Sequence, residues 1–247
     1  FEIRHDARAQ VRHVLRRRDA SLALADYMAR EVAKPFVGRS LELNLALRAC
    51  RKVRREGCMS ALVIVGPPEA GKSRLVGEVL RSLEESGEPW RFELVRCSPV
   101  ELTSGWQPFA ELVRDAMVGG EEQLAVRLSR LPGLQDADPE RAVRRVQALM
   151  RMLGLDHDAT QGEAPTPASD AEIHAAFEAW AAIVRGLCAQ QPMALVIEDL
   201  QYARPVVLQL LAHVARSCED VPLVLVLPMR SDRAEAVLQA LHPPTSR

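Results

Sequence analysis

Four short strand-like runs, each followed or preceded by an amphipathic stretch, most constrain what this chain can fold into. They are Ala-Leu-Val-Ile-Val at 61–65, Phe-Glu-Leu-Val-Arg-Cys at 92–97, Met-Ala-Leu-Val-Ile at 193–197 and Pro-Leu-Val-Leu-Val-Leu at 222–227. A nearly continuous apolar run, with no alternation of polar residues, suits a strand covered on both faces. Strands of this kind separated by helical segments predict right-handed βαβ units and a mainly parallel sheet between two helical layers. The 247 residues suffice for one large α/β domain, alone or with appendages. With 48% hydrophobic and 26% charged residues the balance is that of a globular protein. That excludes a disordered chain, a collagen-like fibre and a small disulfide scaffold.

The helical segments are read from their periodicity. Residues 5–18 carry Val11, Val14 and Leu15 among arginines, and residues 20–33 carry Leu22, Leu24, Tyr27 and Met28; both read as amphipathic helices. Pro35 interrupts them. Ser40 reads as the N-cap of a helix that Gly57 ends, with Leu41, Leu45 and Leu47 apolar and Glu42 in its first turn. Residues 71–85 form a further helix with Leu75, Val76, Val79, Leu80 and Leu83 on one side. Residues 108–153 are helix-rich, 156–170 have loop composition and are expected to be flexible, and 171–189 and 205–217 are helical.

Between the first strand and its helix stands Gly66-Pro67-Pro68-Glu69-Ala70-Gly71-Lys72-Ser73, which matches G-x-x-x-x-G-K-[ST] in the strand–loop–helix setting that this motif requires. Gly66 and Gly71 let the backbone turn closely around an anion. The loop N–H groups and the helix N-terminus supply positive potential for a phosphate. Lys72 is expected at the β- and γ-phosphates, and the Ser73 hydroxyl at a Mg²⁺ ion. Gly66 to Ser73 and the adjoining Arg74 are therefore the candidate nucleotide contacts. A carboxylate is needed opposite the loop, and Glu198 and Asp199 stand at the end of the third strand, where parallel sheets place their ligands. One is expected beside the metal with Ser73 and the other beside the attacking water; Glu198 aligns with the metal side, with the roles open to exchange. Arg230, after the fourth strand, is a candidate γ-phosphate sensor or a surface arginine capping that strand.

The segment Pro35-Phe36-Val37-Gly38-Arg39-Ser40-Leu41-Glu42-Leu43 resembles the opening "FVGR-x-x-EL" of AAA-type ATPases. Glu198-Asp199-Leu200-Gln201-Tyr202-Ala203 resembles the "EDLHWAD" Walker B segment of signal-transduction ATPases with numerous domains, the STAND class. The resemblance runs from about residue 35 to 233. It implies a three-layer αβα P-loop fold of the additional-strand type, with sheet order 5-1-4-3-2. It also implies binding of ATP, dATP or ADP with Mg²⁺, slow hydrolysis, and a nucleotide switch that governs an attached domain or self-assembly. The resemblance assigns Phe36, Val37, Gly38 and Arg39 to the base side of the nucleotide. Two positions depart from the pattern and bear on hydrolysis: Arg204 replaces an acidic residue, and Pro228 replaces a threonine two places before Arg230.

The expected organisation is a basic helical lead or linker over 1–34 and an ATPase core over 35–247, cut before a C-terminal helical lid. The Phe at position 1 suggests a fragment of a longer chain. Charge divides in the same way. Residues 1–55 hold 14 Lys and Arg against 6 Asp and Glu, while the rest hold 18 against 27. The basic end reads as solvated helix faces, or as a surface meeting an acidic partner or neighbouring domain. With no aromatic residues interleaved among its arginines, nucleic acid is not an expected partner, and an AAA ATPase associated with nucleic acid is a lower-ranked alternative. A nucleotide-binding scaffold without turnover is another. A small-molecule kinase ranks behind both, because no acceptor-binding residues are identified. The five cysteines have no metal-ligand spacing, and no apolar run spans a membrane. Free thiols in a reducing, cytoplasmic compartment are the expectation.

Overall fold

The apolar runs become four parallel strands in a single sheet. They are β3 (Ser60–Val65), β4 (Arg91–Arg96), β5 (Met193–Glu198) and β6 (Leu223–Met229), numbered after an N-terminal pair described below. In this computed structural model the described residues are 2–6, 11–16, 20–33, 35–97, 109, 113, 126, 129–131, 133–135, 138–152 and 169–241. The strand order is β3-β6-β5-β4, so the last strand inserts beside the first. Counted from β3 this is 1-4-3-2, the expected additional-strand order; a fifth strand is not among the described residues. All three pairings are parallel, and every residue of β5 and β6 is buried. The continuous apolar composition of those two strands follows from their central position.

Helices cover both faces. On one side lie α1 (Ala20–Val32), α2 (Ser40–Glu56) and α3 (Lys72–Glu85). They bury Tyr27, Cys50, Val53, Leu75 and Val79 against Ala194, Val196, Val224 and Val226 of the sheet. On the other side lie α4 (Pro139–Met152), α5 (Asp170–Gln190), α6 (Pro205–Ser217) and α7 (Ser231–Leu241). There Trp180, Ile183, Leu210 and Leu211 meet Leu195, Ile197, Leu223 and Leu225. Successive strand residues thus serve opposite layers, as the two-residue period of a strand demands. This is the three-layer αβα arrangement of a P-loop fold.

Helix ends follow their sequence signals with one exception. Gly57 closes α2 at φ 65°, returning its N–H to Val53 O at 2.9 Å. Ser169 opens α5 with a reciprocal capping box to Glu172, and Pro205 stands in the first turn of α6. The expected cap Ser40 is instead the first residue of α2. Arg39 occupies the cap position without a side-chain cap bond, because an arginine has no acceptor to offer the free N–H groups.

The expected helix over 5–18 is not formed. Residues 2–6 and 11–16 are strands β1 (Glu2–Asp6) and β2 (Val11–Arg16), paired antiparallel with Glu2 opposite Arg16. Val11, Val14 and Leu15 fit a helical stripe and a short strand about equally, and β-branched residues favour the strand. The second part of that basic lead is helical as expected, in α1. Of the helix-rich stretch 108–153, α4 is described and Phe109 and Val113 are buried. The expected flexible loop lies outside the described residues up to residue 168. No helix among the described residues is long and apolar enough to cross a membrane.

Candidate functional site

The carboxyl ends of β3, β5 and β6 converge on the loop 66–71. β3 delivers the chain to Gly66, whose N–H donates to Met229 O at the end of β6 (3.3 Å). Inside the loop, Ala70 N–H closes a turn onto Pro67 O at 3.3 Å. Glu69 and Gly71 are both left-handed, at φ 61° and 75°. Gly71 tolerates that conformation at no steric cost, whereas Glu69 adopts it under strain. α3 then starts at Lys72, with Leu75 N–H on Gly71 O at 3.0 Å. The loop is therefore shaped by its own backbone, with the N-terminus of α3 beside it.

Lys72 arches back over the loop. Its Nζ donates to the carbonyls of Gly66 (3.0 Å) and Pro67 (2.7 Å). Its pKa is lowered, first by partial burial and then by the neighbouring positive charges of Arg230 and Arg39, with Asp199 opposing. Two further cations, Arg230 and Arg39, thus stand within electrostatic reach of Lys72. Such a cluster favours a polyanion. Arg230 also pairs with Asp232 through Nε at 3.3 Å, so it is held at the tip of β6.

Ser73 and Glu198, 125 residues apart in sequence, meet here: Ser73 Oγ donates to Glu198 Oε1 at 3.0 Å. The second carboxylate oxygen, Oε2, accepts from Arg96 Nη2 at 2.7 Å and Nε at 3.2 Å. Asp199, at φ 60°, turns the chain sharply after β5 and stays half-exposed. Its Oδ1 accepts from Gln201 Nε2 at 2.9 Å, while Oδ2 lies 4.0 Å from Arg96 Nε. A hydroxyl and a carboxylate side by side are hard oxygen donors, so this pair fits a Mg²⁺ ion. The buried Glu198 takes the position beside Ser73, and the more exposed Asp199 faces solvent.

The segment before α2 reaches the same loop. Arg39 donates to Ala70 O, and the Arg74 guanidinium lies over the Phe36 ring at 5.0 Å. Gly38 makes the turn between them at φ 77°. Val37 is 81% exposed. Pro67, Pro68 and Glu69 form the exposed rim of the loop.

Three contributors were missed in the sequence reading. Arg96 sits opposite Glu198 in the β4–β5 register, a pairing that sequence does not specify. Gln201 follows Asp199 by two places, within reach for a short polar bond. Tyr27 of α1, 1% exposed, donates its phenol proton to Ser73 O at 3.1 Å. Burial pushes its pKa up, and the charge of Glu198 adds to that. In the sequence it reads only as one member of an apolar stripe.

Comparison with known proteins agrees with this geometry. Over 209 residues, 85% of the chain, the sequence is 24% identical to an uncharacterized protein of Rhizobium meliloti (strain 1021). The chain spans about a fifth of that relative's length, since the match covers 20% of it. A family model described as "AAA ATPase domain" matches residues 35–227, which takes in the loop, both carboxylates, strands β3 to β5 and β6 as far as Leu227. By that match and by its fold, the chain belongs to the AAA ATPase domain family.

Proposed function

We propose that this domain binds ATP with Mg²⁺, hydrolyses it slowly, and serves as the nucleotide switch of a larger signalling or transcription-regulating ATPase of the STAND class. Its nucleotide state would govern attached domains or self-assembly. The observation that carries the reading is the bond between Ser73 Oγ and Glu198 Oε1 at 3.0 Å, with Lys72 over the adjoining loop. In this reading the loop N–H groups and Lys72 hold the β- and γ-phosphates. Ser73 and Glu198 would hold Mg²⁺, which would supply positive charge to the phosphate oxygens. Asp199 orients a water and takes its proton as the water oxygen bonds to the γ-phosphorus. The bond from that phosphorus to the β–γ bridging oxygen breaks, leaving ADP and inorganic phosphate. Lys72 and Arg230 offset the charge that develops.

A second reading, binding without turnover, is favoured by one observation. Arg96 already makes two bonds to Glu198, so a metal ion shares that carboxylate with a guanidinium. Single-turnover hydrolysis by the wild type, Glu198→Gln and Asp199→Asn separates the two. Hydrolysis predicts a wild-type rate that falls about 100-fold or more in Asp199→Asn, in line with loss of a general base, while ATP binding persists. Wild-type binding with no turnover contradicts it and leaves the scaffold.

A further inference from the structure

Helix α1 lies before the residues matched to the family, which start at 35, yet it packs along α3 and against β4. The contact has a matched register. Tyr27 and Glu31, one turn apart on α1, face Ser73 and Gly77, one turn apart on α3. Gly77 has no side chain, and a Cβ built there would lie 2.9 Å from Glu31 Cβ, so the helices touch nearly backbone to backbone. That approach seats the Tyr27 phenol, 1% exposed, on the carbonyl of Ser73 at 3.1 Å. The same serine donates its hydroxyl to Glu198.

We propose that Tyr27 is a positioning residue for the Ser73–Glu198 pair, so that a helix outside the family core is part of the nucleotide site. This rests on the nucleotide reading above. The phenol fixes the Ser73 peptide plane from outside the helix, in addition to the helix's own bonding. It thereby holds the direction of the Ser73 hydroxyl towards Glu198. Without it that hydroxyl loses its fixed direction, and the two oxygens lose their fixed separation. The cost falls on metal-assisted binding, because Lys72 is held from the other side, by the Gly66 and Pro67 carbonyls of the loop.

The test is calorimetric titration of the full 247-residue chain with ATP, once across a Mg²⁺ series and once in EDTA, comparing the wild type, Tyr27→Phe and Tyr27→Leu. The phenylalanine variant keeps the buried ring and removes one hydrogen bond. The Mg²⁺ concentration for half-maximal ATP binding should rise about 3- to 10-fold in Tyr27→Phe, the range of one net hydrogen bond. Its affinity for ATP in EDTA should match that of the wild type. Unchanged Mg²⁺ dependence in Tyr27→Phe, or an equal weakening with and without the metal, overturns the proposal while leaving the nucleotide reading intact. Tyr27→Leu should resemble Tyr27→Phe in its Mg²⁺ dependence; wild-type behaviour there also overturns it. A wild-type chain that binds no ATP overturns both.

Discussion

Replacing Gly77 by alanine tests the close approach of α1 to α3, because two effects of opposite sign compete there. In a helix with nothing beside it, glycine to alanine is stabilising by about 1 kcal/mol through helix propensity. Here the new Cβ would lie 2.9 Å from Glu31 Cβ and 3.9 Å from Val32 Cγ2. Carbon atoms prefer about 3.5–4.0 Å, so α1 must back away by roughly 0.6–1 Å. The atom in the way is a Cβ, fixed to its backbone, and cannot swing aside as the end of a long side chain can. Overpacking of this kind costs about 1–3 kcal/mol. The net expectation is a loss of about 1 kcal/mol, or about 2–4 °C in unfolding temperature for a chain of this size. Urea unfolding of Gly77→Ala, Glu31→Gly and the double variant reads the coupling directly. With the Glu31 Cβ removed, Gly77→Ala should change sign and become stabilising by about 1 kcal/mol. A Gly77→Ala variant more stable than the wild type, with the same effect in the Glu31→Gly background, would refute the packing argument.

Further outcomes follow from other parts of the molecule. Arg185 donates to both carboxylate oxygens of Asp220, with Nη2 to Oδ2 at 2.9 Å, and holds the Asp220 pKa at about 2 against an ordinary 3.8. A lowered carboxylate pKa contributes stability above the unfolded value and loses it as pH falls through the folded one. The gap in unfolding temperature between the wild type and Asp220→Asn should therefore be present at pH 7 and shrink between about pH 4 and 2; a gap that widens in acid contradicts the pairing. Cys50, Cys97, Cys188 and Cys218 are buried, whereas Cys58 is half-buried. Burial pushes the thiols of Cys50 up to about 11 and of Cys188 and Cys218 up to about 12. A disulfide reagent at pH 8 should label Cys58 fast in the folded chain and the other four only after denaturation; rapid labelling of Cys188 would count against the packing of α5. Arg96→Ala should loosen Glu198 and change the Mg²⁺ dependence of ATP binding more than binding in EDTA, as measured by calorimetry.

The central part of the fold was legible because burial on two faces leaves an unmistakable pattern. The runs at 193–197 and 222–227 have almost no polar interruption, and they are the two central strands, buried throughout; the run at 61–65 is as apolar, although β3 lies at the edge of the described sheet and is only partly buried. The loop 66–73 was legible because backbone geometry and phosphate chemistry together require its glycines, lysine and serine. Short segments were harder. Residues 11–16 hold three apolar residues in six positions, too few to separate a period of 3.6 from one of 2, and they form a strand. Ser40 carries the chemistry of a cap but is already the first residue of the helix, so the cap position falls to Arg39, whose side chain reaches Ala70 instead. The site residues that escaped the sequence reading act through contacts between distant segments. Arg96 depends on the register of β4 against β5, and Tyr27 on a helix packing that only the glycine at 77 permits. Neither residue type signals such a role by itself.

The account stands most directly on Lys72 and the loop it spans. Calorimetric titration of the wild type and Lys72→Ala with ATP in excess Mg²⁺ measures that contribution. The predicted result is a clear binding isotherm for the wild type and an affinity at least tenfold lower in Lys72→Ala, since a charge-assisted contact to phosphate contributes about 1.5–3 kcal/mol. Equal affinity in the two proteins would contradict the assignment of this loop as the nucleotide site.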